Sequence, residues 1–135
     1  MIRYFFISII LIFSLTSCGD DTPDCTPDTI VGTYIGNTEC DDTGASAVDL
    51  PDGPTTYEVE LVSGNNYSVT NQDGDETLIT IDGCDISVPE LEFEFFGIVI
   101  ATSGDGSIDG SEMQLTVTTT VDGVSFTCRS TTNKI

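Results

Sequence analysis

Carboxylates and thiols are the reactive groups of this chain. It carries 23 Asp and Glu, five cysteines and no histidine. Without histidine there is no Ser-His or Cys-His nucleophile pair and no imidazole to hold a metal. Two carboxylates can hydrolyse a glycosidic bond only when they oppose each other across a cleft. Glu90, Glu92 and Glu94 instead alternate with Leu91, Phe93 and Phe95, so a strand carries them in a row on one solvated face. No tryptophan is present to stack a sugar. The expected number of catalytic residues is therefore zero, and the chain is read as a non-enzyme.

Metal chemistry has one candidate. Asn71, Asp73 and Asp75 place oxygens at alternate positions around Gly74, which resembles the opening half of a calcium loop. The sixth position holds Glu76 where an EF-hand needs glycine, and Asp82 stands where the closing glutamate belongs. Asp105, Asp109 and Glu112 form a looser second group. Asp and Gly are also the ordinary residues of hairpin turns, and that reading outweighs a Ca2+ site, so no cofactor is expected. Of the five cysteines, Cys25, Cys40, Cys84 and Cys128 are scattered with no C-x-x-C spacing. That pattern suits two disulfides in an oxidising compartment, with three pairings open, better than it suits zinc.

The elements that position these groups have a period of two. Tyr57, Val59 and Leu61 alternate with Thr56, Glu58 and Glu60, and Met113, Leu115 and Val117 alternate with Gln114, Thr116 and Thr118. Each run reads as a strand with one buried and one wet face. Turn signals separate them at Gly64-Asn65-Asn66, Asp73-Gly74-Asp75, Asp82-Gly83, Asp109-Gly110 and Asp122-Gly123, the last a two-residue turn of the primed type. Strands are predicted over 31–40, 55–63, 67–70, 77–81, 85–95, 98–103 with an extension through 104–108, 113–121 and 124–131. The fold expected is all-β, about eight antiparallel strands in a meander, closed as a barrel or flattened into a sandwich. Phe93, Phe95, Leu115 and Phe126 are the large side chains expected to fill its interior.

The N-terminus differs in kind. Arg3 precedes an apolar run over 4–15 broken only by Ser8 and Ser14. The run is too short for a membrane-spanning helix but suits the core of a signal peptide. Leu15-Thr16-Ser17-Cys18 closes it and resembles the bacterial lipobox, which implies a diacylglycerol on the Cys18 sulfur. Residues 1–17 are then the signal peptide, 18–29 the lipidated cysteine with an acidic Pro/Thr tether, and 30–135 the β-domain. Asp20-Asp21 behind the cysteine resembles signals that send lipoproteins of Bacteroidetes to the outer cell surface.

The whole chain resembles small Bacteroidetes lipoproteins that carry a lipocalin-like β-barrel. The resemblance rests on Cys18, the opening Ile30-Val31-Gly32-Thr33-Tyr34-Ile35-Gly36, the stretch Gly104-Asp105-Gly106-Ser107-Ile108, and the closing Thr127-Cys128-Arg129 with Lys134. It implies that Tyr34 stands where lipocalins place a barrel-base tryptophan, with Arg129 as the cation that caps it. The up-and-down order ranks Cys25–Cys84 with Cys40–Cys128 first among the disulfide pairings, and Cys25–Cys128 with Cys40–Cys84 close behind.

Charge limits the partners. All 23 acids lie beyond residue 17, where Arg129 and Lys134 are the only basic residues. Such a surface repels nucleic acid, so none is expected as a partner. The membrane enters through the lipid on Cys18, and the other expected partner is an envelope protein or a small apolar ligand. The function expected is a lipid-anchored, non-catalytic outer-membrane lipoprotein with a binding or structural β-domain, facing the periplasm or the cell surface. The alternative is a lipocalin-like carrier of a small apolar ligand, separated from the first by whether the barrel interior is filled.

Overall fold

The computed structural model describes residues 24–41 and 52–135; Cys18, with the rest of the lipobox, lies outside them. Eight antiparallel strands follow one another around a closed barrel. They are β1 (Gly32–Cys40), β2 (Gly53–Ser63), β3 (Asn66–Asn71), β4 (Glu76–Asp82), β5 (Asp85–Phe95), β6 (Ile98–Asp109), β7 (Glu112–Val121) and β8 (Val124–Lys134). β1 closes on β8 in continuous register from Tyr34↔Lys134 to Cys40↔Cys128. The barrel, not the flattened sandwich, is therefore the fold. The Asp122-Gly123 turn has positive φ at both residues, as a primed hairpin turn requires.

Closure needs strong coiling, and inward-facing glycines supply it. A Cβ on Gly104 or Gly106 would overlap the Thr116 or Gln114 carbonyl oxygen of β7, and one on Gly36 would overlap Thr131 of β8. The stretch 104–108 is accordingly part of β6 and not an irregular appendage.

One end of the barrel, the base, is sealed. The alternation buries Val59, Tyr67, Ile81, Ile86, Ile108 and Met113 there. A single helical turn, α1 (Pro27–Ile30), sits beneath them and inserts Ile30 into the same cluster. Pro27 at the first helical position has no N–H to leave unpaired, and the Thr26 N–H donates to Thr29 Oγ1 at 3.0 Å. The last residues of the acidic segment therefore belong to the folded domain, which corrects the view of 18–29 as tether throughout. Cys25 is disulfide-bonded to Cys84 in the β4–β5 turn, and Cys40 to Cys128 across the β1–β8 seam. This is the first-ranked of the pairings.

Tyr34 is fully buried at the base and donates from its hydroxyl to the Ile30 carbonyl at 2.7 Å. Arg129 does not cap it. In the β1–β8 register Tyr34 faces Lys134, whereas Arg129 faces Glu39, five residues along toward the other end. Arg129 also points outward and pairs with Asp41 at 3.0 Å, both side chains more than half exposed. The cation at the base is Lys134, whose ammonium donates to the Thr29 carbonyl at 2.8 Å and the Asp28 carbonyl at 3.4 Å. It thereby satisfies the carbonyl end of α1, a position that favours positive charge.

Two expectations follow from the base. Replacing Cys25 and Cys84 together by serine should lower stability by about 2–4 kcal/mol in a urea titration. A loss no larger than that of a surface substitution would mean that α1 stays docked without its covalent tie. Burial also raises the Tyr34 and Tyr67 phenols above the ordinary value of 10, because phenolate would be stranded in the core. As pH climbs past 10 the unfolded chain ionises first, so stability is full below that pH and declines above it. Tyr34→Phe should cost about 1 kcal/mol at neutral pH by leaving the Ile30 carbonyl unpaired, and should flatten the alkaline decline. Urea midpoints measured from neutral pH to about pH 11 check both, and an unaltered alkaline slope would remove Tyr34 from that role.

Candidate functional site

The opposite end of the barrel, the mouth, is open among the described residues. Inward positions there surround a cavity of about 540 Å³, within the size range of small-molecule sites. Its apolar wall comes from Val69 of β3, Ile79 of β4, Val88 of β5, Leu115 and Val117 of β7 and Phe126 of β8. Every one occupies the lumen-facing register of its strand, as the side-chain period of two requires.

Set into that wall is a group of three hydroxyls. Thr38 Oγ1 and Ser130 Oγ lie 2.7 Å apart, and Tyr57 Oη lies 2.9 Å from the same Ser130 oxygen. Thr38 and Ser130 are 4% and 6% exposed and Tyr57 is half-buried. Three hydroxyls carry three protons, and the two internal bonds use two. The group therefore has a proton left to donate and lone pairs left to accept, which is the capacity a lumen needs to orient a polar atom of a ligand. Thr102 and Thr119 form a second hydroxyl pair at 2.9 Å on the same lining.

The mouth is not level. β3 and β4 are short, and β4 pairs with β5 only over Thr80–Asp82 against Asp85–Ser87. β5 and β6 continue past it as a hairpin to Phe95 and Ile98. An extra residue in β5 between Val88 and Leu91 breaks the register there. This bulge shifts the parity by one, so Leu91, Phe93 and Phe95, opposite Thr102, Ile100 and Ile98, take the lumen-facing side. Glu92 and Glu94 take the outer side, and Glu90 falls in the bulge itself. No strand of the described residues stands across from the hairpin at that height, and Phe93 and Phe95 are 54% and 61% exposed. The expectation that they fill the interior is thus overturned, while Leu115 and Phe126 are buried as expected, each 8% exposed. The hairpin turn carries Phe96 with φ 51°, strained for a bulky side chain, and its ring packs edge-on against Phe95 with centroids 4.5 Å apart.

Next to the hairpin, where β4 neighbours β5, the low lip is acidic. Asn71, Asp73 and Asp75 occupy the β3–β4 turn, where Asn71 Oδ1 accepts from the backbone N–H groups of Asp73 and Asp75, both at 2.9 Å. Asn71 Nδ2 donates to Asp75 Oδ2 at 3.3 Å. The asparagine oxygen proposed for calcium is therefore spent on the turn. No group of three or more His, Cys, Asp or Glu among the described residues is spaced to hold a metal ion. Asp105 lies on the outer side of β6, and Asp109 and Glu112 face each other at the β6–β7 turn. Asp52, beside the start of β2, joins the lip and accepts from the Cys40 N–H at 2.6 Å.

The structure brings Cys40, Cys128, Asn71, Asp73 and Asp75 to the mouth half, and Cys25, Cys84 and Tyr34 to the base. Sequence reasoning missed Thr38, Tyr57 and Ser130 as a group. The signal available was their inward parity: Thr38 lies two residues before Cys40, Ser130 two after Cys128, and Tyr57 two before Val59. Polar side chains at core-facing strand positions mark a lumen that is not purely apolar. Comparison with protein-family models, with curated proteins and with solved structures finds no match, so the chemistry of this cavity stands on the chain's own residues.

Proposed function

We propose that this protein is a lipid-anchored, lipocalin-like binding protein that holds a small ligand in its barrel lumen. The observation that carries the reading is the cavity of about 540 Å³, apolar in its wall with the Thr38–Ser130–Tyr57 hydroxyls set into it. A barrel of eight strands is wide enough to be packed solid or to hold one small molecule. The packed version, acting only through its outer surface, would need Phe93 and Phe95 inside, and both are displaced onto the hairpin above the mouth. The role is binding, with no catalytic residue assigned.

The anchor fits this orientation. Cys25 is fixed at the base by its disulfide to Cys84, and Cys18 precedes it by seven residues. An acyl-modified Cys18 would hold the base toward the outer membrane, so the mouth would face away from the lipid and toward the periplasm or the medium. A ligand could then enter without passing the anchor.

The test is a native mass spectrum of residues 19–135, exported to an oxidising periplasm and purified without detergent. The described residues include the closed core and both disulfides, so this piece contains the folding unit. The expected result is an adduct on the order of a few hundred daltons, lost on denaturation and missing from a Val117→Trp variant whose indole occupies the lumen. The bare wild-type protein should also take up added decanol. A bare mass together with no uptake of decanol would sink the carrier reading.

A further inference from the structure

The lumen has a charge asymmetry that selects among amphiphiles. Among the described residues, the ionisable side chains of its lining other than Tyr57 are Asp52, Asp73 and Asp75, all carboxylates at the mouth. No lysine or arginine lines it, and the described chain has only two cations to offer. Arg129 points outward and is paired with Asp41. Lys134 lies at the far end of the barrel, committed to the carbonyls of Asp28 and Thr29. A carboxylate-headed ligand such as a fatty acid would therefore meet three like charges at the mouth and no counter-charge below it, inside a chain of net charge −20.

From this arrangement, and resting on the lumen-binding reading above, we infer that the ligand is a small cationic amphiphile, an apolar body with a protonated amine. The site is the cavity; the aspartates decide which head group it admits. The apolar body lies against Val69, Ile79, Val88, Leu115, Val117 and Phe126. Its outer part meets the lumen side of the β5–β6 hairpin, where Leu91, Phe93 and Phe95 continue the apolar wall upward. The ammonium sits on the adjacent, low side of the mouth beside Asp73 and Asp75, on the β3–β4 turn that neighbours β5. Apolar surface along the β5–β6 hairpin and carboxylates on the neighbouring β3–β4 lip orient such a molecule, head to the lip and tail to the wall. A cleft of one sign bounded by low-dielectric walls also concentrates cations ahead of binding. Discrimination against an anion comes as much from repulsion as from attraction.

The experiment is isothermal titration of residues 19–135 with three probes of equal chain length: decylamine, decanol and decanoate. Decylamine is expected to bind at least about tenfold more tightly than decanoate, with decanol between them. Raising salt should narrow the gap, since charges at the mouth are screened. The triple variant Asp52→Asn, Asp73→Asn and Asp75→Asn, confirmed as folded by its amide NMR spectrum, should bring decylamine and decanol to within about twofold of each other. Equal binding of amine and carboxylate, or tighter binding of decanoate, would overturn the cationic assignment and leave the lumen reading standing. Failure of all three probes to bind would overturn both.

Discussion

Closure of β1 on β8 is the constraint on which everything else depends. It removes the two edges that an eight-strand meander would otherwise expose and forces every strand to have one inward and one outward parity around a full circle. The seam is held by backbone pairing from Tyr34 to Cys40 and by the Cys40–Cys128 bridge within it. Its two ends do different work. At the base, β1 and β8 bring Tyr34 and Lys134 to α1, so the same seam that closes the circle also seats the plug. At the mouth they bring Thr38 and Ser130 within 2.7 Å of each other. The polar group of the lumen is thus a product of strand register between residues 92 apart in sequence.

Given closure, the state of the interior is decided by two local departures from regularity. β3 and β4 stop early, and β5 gains one residue at its bulge. Were β4 as long as β5, it would pair along the hairpin and flank Phe93 and Phe95. Were the bulge absent, Glu92 and Glu94 would face the lumen and the aromatics would face water. The bulge puts apolar side chains on the lumen side and the short strands leave them above its rim. Large side chains that could have packed the barrel are spent on its entrance, and a cavity remains below them.

The residues themselves show why part of this was readable in the sequence and part was not. Strand positions, turn sites and the up-and-down order follow from a period of two and from Asp-Gly and Asn-rich breaks, which are local signals. That order ranks the disulfide pairing without deciding it: a meander favours Cys25 beside the β4–β5 turn and Cys40 beside Cys128, yet leaves Cys25–Cys128 with Cys40–Cys84 close behind, and the structure has the first. The height of each residue above the base is a different matter. Alternation says that Phe93 and Leu115 each face one side of a sheet, but not that β4 ends before it can cover Phe93. The bulge in β5 was hidden for the same reason: the run Leu91, Phe93, Phe95 is unbroken in itself, and its parity relative to Ile86 and Val88 depends on one residue near Pro89. Arg129 misled because it is the only arginine after the N-terminal segment. Its odd position in β8 turns it outward, whereas Lys134 shares the inward parity of Ser130 and Thr132 and reaches the base. The one helical turn escaped notice because four residues are too few to show a helical period.

The charge pattern makes sense only with these placements known. An acidic surface by itself speaks to solubility and to repulsion of nucleic acid, and it was readable from composition. What composition cannot say is where the few cations go. Both are committed to structure, one on the outer face at the Asp41 pair and the other under the barrel against the carbonyl end of α1. Neither is therefore available to neutralise Asp52, Asp73 and Asp75. Asn71 meanwhile shapes the β3–β4 turn through its two backbone bonds and fixes Asp73 and Asp75 on the low lip, next to the aromatic hairpin. The acidity of the entrance is in this sense enforced by the fold: the same short strands that open the mouth place carboxylates along its lower edge, and the same seam that closes the barrel turns Arg129 to the outer face and carries Lys134 to the base.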